Sequence, residues 1–242
     1  MPLRRARGGL RKRGFTVKAR AGNWVPFIGG SSIEFQKRHL KALVRRQALK
    51  TEETKKVTTG LTGGSNWVHN TLYSVKLNNI PQGTDIGARQ GDRVFYCGMN
   101  IKLQYATASA VPNQYLRLYV IRARDTSVGT SASAWGTTIG SSLMFRNNDT
   151  APTAFVNTDQ VTLLATKTCK LDAQYSGDIQ VRECKINVKI MKPFQFRTGT
   201  QEGEHYNYYL VVLPYSTSGT PVTGTTVVGS TVTNIQQIFK DA

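Results

Sequence analysis

The residues of this 242-residue chain best suited to chemistry are cations crowded toward its N-terminus. Arg4, Arg5, Arg7, Arg11, Lys12, Arg13, Lys18 and Arg20 sit among glycines with almost nothing to bury, and Lys37, Arg38, Lys41, Arg45 and Arg46 follow in a second basic stretch. Side chains of this kind replace counterions on a phosphate backbone, which makes binding tolerant of sequence and steeply dependent on salt. Residues 1–60 hold 16 Lys and Arg against 3 Glu, whereas residues 61–242 hold 16 against 11 acidic groups, so most of the formal net charge of +18 lies in the first quarter. The distribution points to a polyanionic partner, nucleic acid ahead of an anionic membrane surface. The first cluster also has the composition of a nuclear import signal, and of a solubilising or ribosome-associated tail.

The remaining candidates offer less. Asp85, Asp92, Glu202 and Glu204 are oxygen donors that a calcium ion shared between subunits would use, and equally the acids that shape turns and pair with arginine. His39, His69 and His205 stand apart in sequence and read as surface or capping residues. Cys97, Cys169 and Cys184 have no metal-ligand spacing; they read as reduced, buried thiols of a protein made inside the cell. The glycines of IPQGTDIGARQGDR imitate a phosphate cradle, but they lead into a strand, so no helix N-terminus would face the anion. There is no GxSxG, GK[ST], HExxH or CxxC, and no enzyme, cofactor or bound metal is expected. Asn148-Asp149-Thr150 matches a glycosylation acceptor, but no secretory signal and no membrane span is legible.

Most of the elements that must position these residues are strands. Ser31-Ser32-Ile33-Glu34 has the form of a capping box and opens an amphipathic basic helix over about 32–50. Ile33, Leu40, Leu43, Val44 and Ala48 fall on one side of it, with Lys37, Arg38, Lys41 and Arg45 on the adjoining face. That helix is expected to press against packaged nucleic acid or a neighbouring subunit, or to stay marginal until something covers its apolar side. Residues 1–20 are expected to lack regular structure alone.

TKKVTTGLTGG then reads as a Thr/Gly linker, dividing a basic arm, 1–60, from a β domain, 61–242. Strands are expected over Asn66–Leu77, Arg93–Tyr105, Tyr115–Arg124, Val161–Asp172, Ile179–Met191, Tyr206–Leu213 and Val227–Phe239, with an eighth around Leu143–Phe145. From Phe95 the alternation places Phe95, Cys97, Met99, Ile101, Leu103 and Tyr105 on one face. Cys184, Ile186, Val188 and Ile190 alternate with Glu183, Lys185, Asn187 and Lys189, whereas Tyr206–Leu213 is apolar on both faces and should be a central, doubly covered strand. Short strands without crossover helices select an all-β fold: an eight-stranded antiparallel jelly-roll sandwich preceded by a basic, partly helical arm.

The segment QGTDIGARQGDRV, followed by an alternating strand, resembles the opening of the jelly roll in capsid proteins of small icosahedral viruses, of the satellite necrosis virus type and of circular single-stranded DNA viruses of the CRESS group. The similarity continues through LRLYVIRARD (Leu116–Asp125), VTLLATKTCKLD (Val161–Asp172) and the final IFKDA, and spans roughly residues 75–242. Below residue 60 only the character matches, a basic arm with a short helix. The resemblance implies a coat subunit that self-assembles into an icosahedral shell around a single-stranded genome, circular DNA ahead of RNA. It implies residence in the virion, with passage through the host nucleus by way of an import receptor. Two other classes fit part of the sequence. A cellular nucleic-acid-binding β-barrel would also be basic, but would place aromatics and cations together on an exposed sheet. A carbohydrate-binding sandwich would suit the Thr/Gly-rich loops and Trp135, but leaves the arm without a role.

Overall fold

The computed structural model describes residues 15–18, 24–27, 39–44, 47, 52–62, 67–107, 113–124, 141–146, 154–171, 180–216 and 226–241. The chain divides into two compact units, Met1–Thr51 and Glu52–Ala242. In the first, β1 (Phe15–Lys18) pairs antiparallel with β2 (Trp24–Phe27), Phe15 opposite Phe27 and Lys18 opposite Trp24. Regular structure thus occurs inside the stretch expected to have none. Phe, Val, Thr and Trp are the residues that favour extended backbone, and they are concentrated in these two segments. Residues 39–44 (α1) and residue 47 are helical, as the capping box and apolar period lead one to expect, and the remainder of the 32–50 span lies outside the described residues.

The second unit is a sandwich of antiparallel sheets. Its strands are β3 (Lys55–Thr62), β4 (Trp67–Val68), β5 (Tyr73–Lys76), β6 (Arg93–Thr107), β7 (Gln114–Ala123), β8 (Val161–Leu171), β9 (Val181–Gln195), β10 (Asn207–Ser216) and β11 (Thr226–Asp241). One sheet has the order β5-β10-β7-β8; the other runs β3-β11-β6-β9, with β4 added against β11. With the two-residue β4 left aside, the first long strand pairs with the eighth and the second with the seventh. The third lies between the eighth and sixth, and the fourth between the seventh and fifth. That nesting is the jelly roll. The inward faces of both sheets share one core that includes Met99, Ile101, Leu103, Leu116, Leu118, Val120, Ile186, Val188, Leu210 and Val212.

Three expectations are corrected here. The segment read as a linker supplies β3, paired with β11 from Lys55 opposite Phe239 to Thr62 opposite Val232. It is an edge strand in which Leu61 is buried and Val57 half-buried, so Thr and Gly conceal its alternation. Leu143–Phe145 is not the missing strand: Ser141–Met144 is a single helical turn (α2), and Phe145 makes only an isolated bridge to Val156. Cys169 and Cys184 are not free thiols but a disulfide that joins β8 in one sheet to β9 in the other, while Cys97 remains free.

The strand expected over Asn66–Leu77 is two strands. Asn70 adopts a left-handed backbone (φ 55°) between them, a conformation that asparagine tolerates and that ends the extended run. On β6 the alternation shifts at a bulge between Tyr96 and Gly98. Val94 and Tyr96 are therefore buried ahead of it, Met99, Ile101, Leu103 and Tyr105 beyond it, and Phe95 and Cys97 are only half-buried. Strand β10 is buried along its whole length, the doubly covered strand that its composition requires. Tyr208, Leu210 and Val212 enter the inter-sheet core, whereas Tyr209, Val211 and Leu213 pack with Met144, Phe145 and Val161 on the opposite side.

Candidate nucleic-acid interface

Of the thirteen cations expected to meet phosphate, Lys18 lies in β1 and Lys41 is an exposed residue of α1. Arg4, Arg5, Arg7, Arg11, Lys12, Arg13, Arg20, Lys37, Arg38, Arg45 and Arg46 lie outside the described residues. On α1 the apolar side chains stand open in the single chain, Leu40 and Val44 at 62% and Leu43 at 46% of full exposure. An amphipathic helix draws most of its stability from the packing of such a face, so this face calls for a covering surface.

The glycine-rich turn before β6 is a structural knot. Arg89 N donates to Pro81 O at 2.9 Å and Gly83 N to Arg89 O at 3.1 Å, and the chain then enters a strand. The Arg89 side chain is 1% exposed. Its guanidinium donates to Gly91 O, to Asp92 Oδ1 at 2.9 Å and to Thr200 O at 2.6 Å, and it lies 4.2 Å above the Phe196 ring. Asp92 also accepts from Thr198 Oγ1 at 3.1 Å. The hydrogen bond from Arg89, then that from Thr198, holds the Asp92 carboxyl below its ordinary pKa.

Nearby in sequence, the buried Lys76 ammonium donates to Glu202 Oε1 at 2.9 Å, and Arg197 Nη1 reaches Glu202 Oε2 at 3.4 Å. The Lys76 bond is the main cause of a lowered Glu202 pKa. Two buried amides complete the arrangement: Asn78 donates to Asn207 Oδ1, Tyr208 N donates to Asn78 Oδ1 at 2.9 Å, and Gly203 N donates to Asn207 Oδ1 at 2.7 Å. This network fastens the 77–92 and 197–206 segments to each other. Its carboxylates Asp92 and Glu202 pair with Arg89, and with Lys76 and Arg197, of the chain itself. Among the described residues no three His, Cys, Asp or Glu stand close enough to hold a metal ion.

The histidines lie at the surface or accept from the backbone. His39 is exposed on α1, and His205 stands 3.9 Å from Glu204. His69 Nδ1 accepts from Ser216 N at 3.2 Å, and burial lowers its pKa.

The two outer sheet faces differ sharply. That of β5-β10-β7-β8 is covered over much of β7 and β10 by the apolar cluster around Met144 and Phe145. That of β3-β11-β6-β9 is open and polar: Lys56, Lys102, Lys185 and Lys189 are all exposed on it. Lys102 sits opposite Lys185, and Asn100 opposite Asn187. The alternation of Glu183, Lys185, Asn187 and Lys189 signalled this face in the sequence, but its continuation onto Lys102 and Lys56 needs the strand order. Among the described residues no helix is long and apolar enough to cross a membrane.

No protein-family model matches the chain, and no curated protein matches its sequence. Among solved structures it is similar to that of Desmodium yellow mottle tymovirus, at 8% identity and a TM-score of 0.35, over 79% of this chain and 88% of that one. It is similar to infectious bursal disease virus Gx strain at 8% identity and a TM-score of 0.31, over 79% of this chain but only 37% of the other. A third likeness is to the semi-empty VLP of the giant freshwater prawn Macrobrachium rosenbergii nodavirus, at 14% identity and a TM-score of 0.24, over 77% of this chain and 95% of that one.

Proposed function

We propose that the chain is the coat subunit of a small icosahedral virus: a jelly-roll domain that assembles with copies of itself into a closed shell and packages a single-stranded genome through the cations of residues 1–60. The observation that carries this reading is the strand order β3-β11-β6-β9 against β5-β10-β7-β8, preceded by a segment with 16 Lys and Arg against 3 Glu. Jelly rolls also serve as lectins and cupins. A sugar-binding sandwich has no use for such an arm, whereas a shell that must neutralise a genome does.

The mechanism is binding without catalysis. Arm cations displace counterions from phosphate, and with about ten of them engaged the logarithm of affinity falls with a slope near −7 against the logarithm of salt concentration. Leu40, Leu43 and Val44 become covered when α1 meets a neighbouring subunit or the packaged strand. A circular DNA genome accords with the import-signal composition of the first cluster, since assembly would then take place in the nucleus with an import receptor as partner.

Expression followed by negative-stain imaging tests the reading. Uniform shells with nuclease-protected single-stranded nucleic acid are expected, and sequencing of that nucleic acid separates DNA from RNA. Monodisperse monomers across salt and pH would overturn the proposal. Deletion of residues 1–30 is expected to abolish packaging while circular dichroism and melting of the sandwich stay unchanged; an unfolded product would refute the separation of roles.

A further inference from the structure

We propose that the outer face of the β3-β11-β6-β9 sheet is a second phosphate-binding surface, against which the packaged strand lies; the inference rests on the packaging reading above. The register builds the surface row by row. Lys56, Ile238, Gly98 and Lys189 share one row across the four strands, and Gly60, Asn234, Lys102 and Lys185 share another. With strands about 4.8 Å apart, Lys56 and Lys189 stand roughly 14 Å from each other, and Lys185 and Lys189 are about 13 Å apart along β9. Four ammonium groups therefore span an area wide enough for several nucleotides.

Glu183 stands on the adjacent row, opposite Gln104, and it pairs with Lys185 at 3.2 Å where both side chains are about half exposed. A surface pair of that kind is easily exchanged for a phosphate contact. Lys56, Lys102 and Lys189 make no ion pair among the described residues.

The chemistry of the face selects the backbone of the strand over its bases. The two rows carry lysines, one amide, Ile238 and glycines but no aromatic ring on which a base could stack, and Phe95, half-buried near the start of β6, lies outside them. Of the Tyr and Phe side chains of β6 and β9, Tyr96, Tyr105 and Phe194 are spent in the core, while Phe95 is half-buried. Lysine ammonium groups and amides hold phosphate oxygens without reading sequence, as a packaging surface must. On the opposite sheet apolar side chains cover the outer face around Met144 and Phe145, and the cations Arg117 and Lys170 lie over the rings of Tyr119 and Tyr115. One consequence is an orientation: this face looks into the shell, and the covered sheet lies on the other side.

The test uses the full chain with its arm intact and an oligo(dT) strand as probe, with affinity followed across salt. Joint replacement Lys56→Gln, Lys102→Gln, Lys185→Gln and Lys189→Gln is expected to make the slope shallower by about 3, at roughly 0.7 per phosphate contact. It should also lower the nuclease-protected nucleic acid per particle. Glu183→Gln is expected to act in the opposite direction and tighten binding; it carries the test alone should the fourfold variant fold poorly. Arg146→Gln, which removes an exposed cation elsewhere, is the control and should leave the slope unchanged. A wild-type slope and loading in the fourfold variant, or no tightening in Glu183→Gln, would overturn the inference and leave arm-based packaging standing. A wild-type chain that binds no oligo(dT) would instead sink the packaging reading itself.

Discussion

Replacing Arg89 with alanine removes the residue that ties the glycine-rich turn to the loop after β9, and the structure sets the size of the loss. The guanidinium is 1% exposed and serves two backbone carbonyls, of Gly91 and Thr200, besides Asp92. Leaving a buried carbonyl without its donor costs about 1–3 kcal/mol, and these two are partly buried. The desolvated stack on Phe196, at 4.2 Å, adds roughly 2 kcal/mol. Taking the low value for each carbonyl, since water can reach a collapsed loop, gives about 4 kcal/mol in total. For a unit of this size that is a fall of about 10 °C in melting temperature. Arg89→Lys should recover less than half, because a point charge cannot reproduce the fork of bonds to three acceptors. Differential scanning calorimetry and denaturant titration of the unassembled protein measure both variants. A loss within about 0.5 kcal/mol, the range of an ordinary surface substitution, would refute the reasoning, as would full rescue by lysine.

Other expectations follow from single positions. A Cβ at Gly203 would stand 1.9 Å from Tyr206 O and 2.6 Å from Phe194 Cζ, so Gly203→Ala forces the backbone apart and should cost about 3 kcal/mol or yield insoluble protein, read by melting and solubility. Reduction, or Cys169→Ser with Cys184→Ser, opens a loop between residues 15 apart and should cost about 3 kcal/mol; identical denaturation midpoints with and without dithiothreitol would refute a closed bond. The Asp92 and Glu202 carboxyls have pKa values lowered mainly by hydrogen bonds from Arg89 and Lys76. Their stabilisation is present above the unfolded value of about 4 and is lost as pH falls through their lower folded values. The stability gap between wild type and Arg89→Ala should therefore narrow below about pH 4 in an acid titration.

Legibility followed the strength of the local signal. Strands buried on one or both faces, such as β7, β9 and β10, announce themselves through alternation or continuous apolar runs. β3 does not, because an edge strand in contact with one neighbour needs few apolar residues, and only Val57 and Leu61 supply them. On β6 the alternation places Phe95 and Cys97 on the wrong face, because Gly98 sits at a bulge where a side chain would meet Val188 O at 2.5 Å. A bulge leaves no mark in composition beyond the glycine itself. The Cys169–Cys184 bond was hidden for another reason: sequence spacing says nothing of two strands in different sheets that meet at an edge. The arm cations were plain from composition, whereas the lysine face needed four strands laid side by side.

The position of β11 between β3 and β6 bears on the order of events during synthesis. The five-stranded sheet lacks its middle until residues 226–241 leave the ribosome, so β3 waits without a partner while almost the whole sandwich is translated. At about 5–20 residues per second that wait is on the order of ten to forty seconds. Throughout it, the cation-rich stretch ahead of β3 is already outside the tunnel and the domain is not yet closed. On the packaging reading, contact with polyanions thus has a head start over shell building, and synthesis of β11 is the step that closes the sheet.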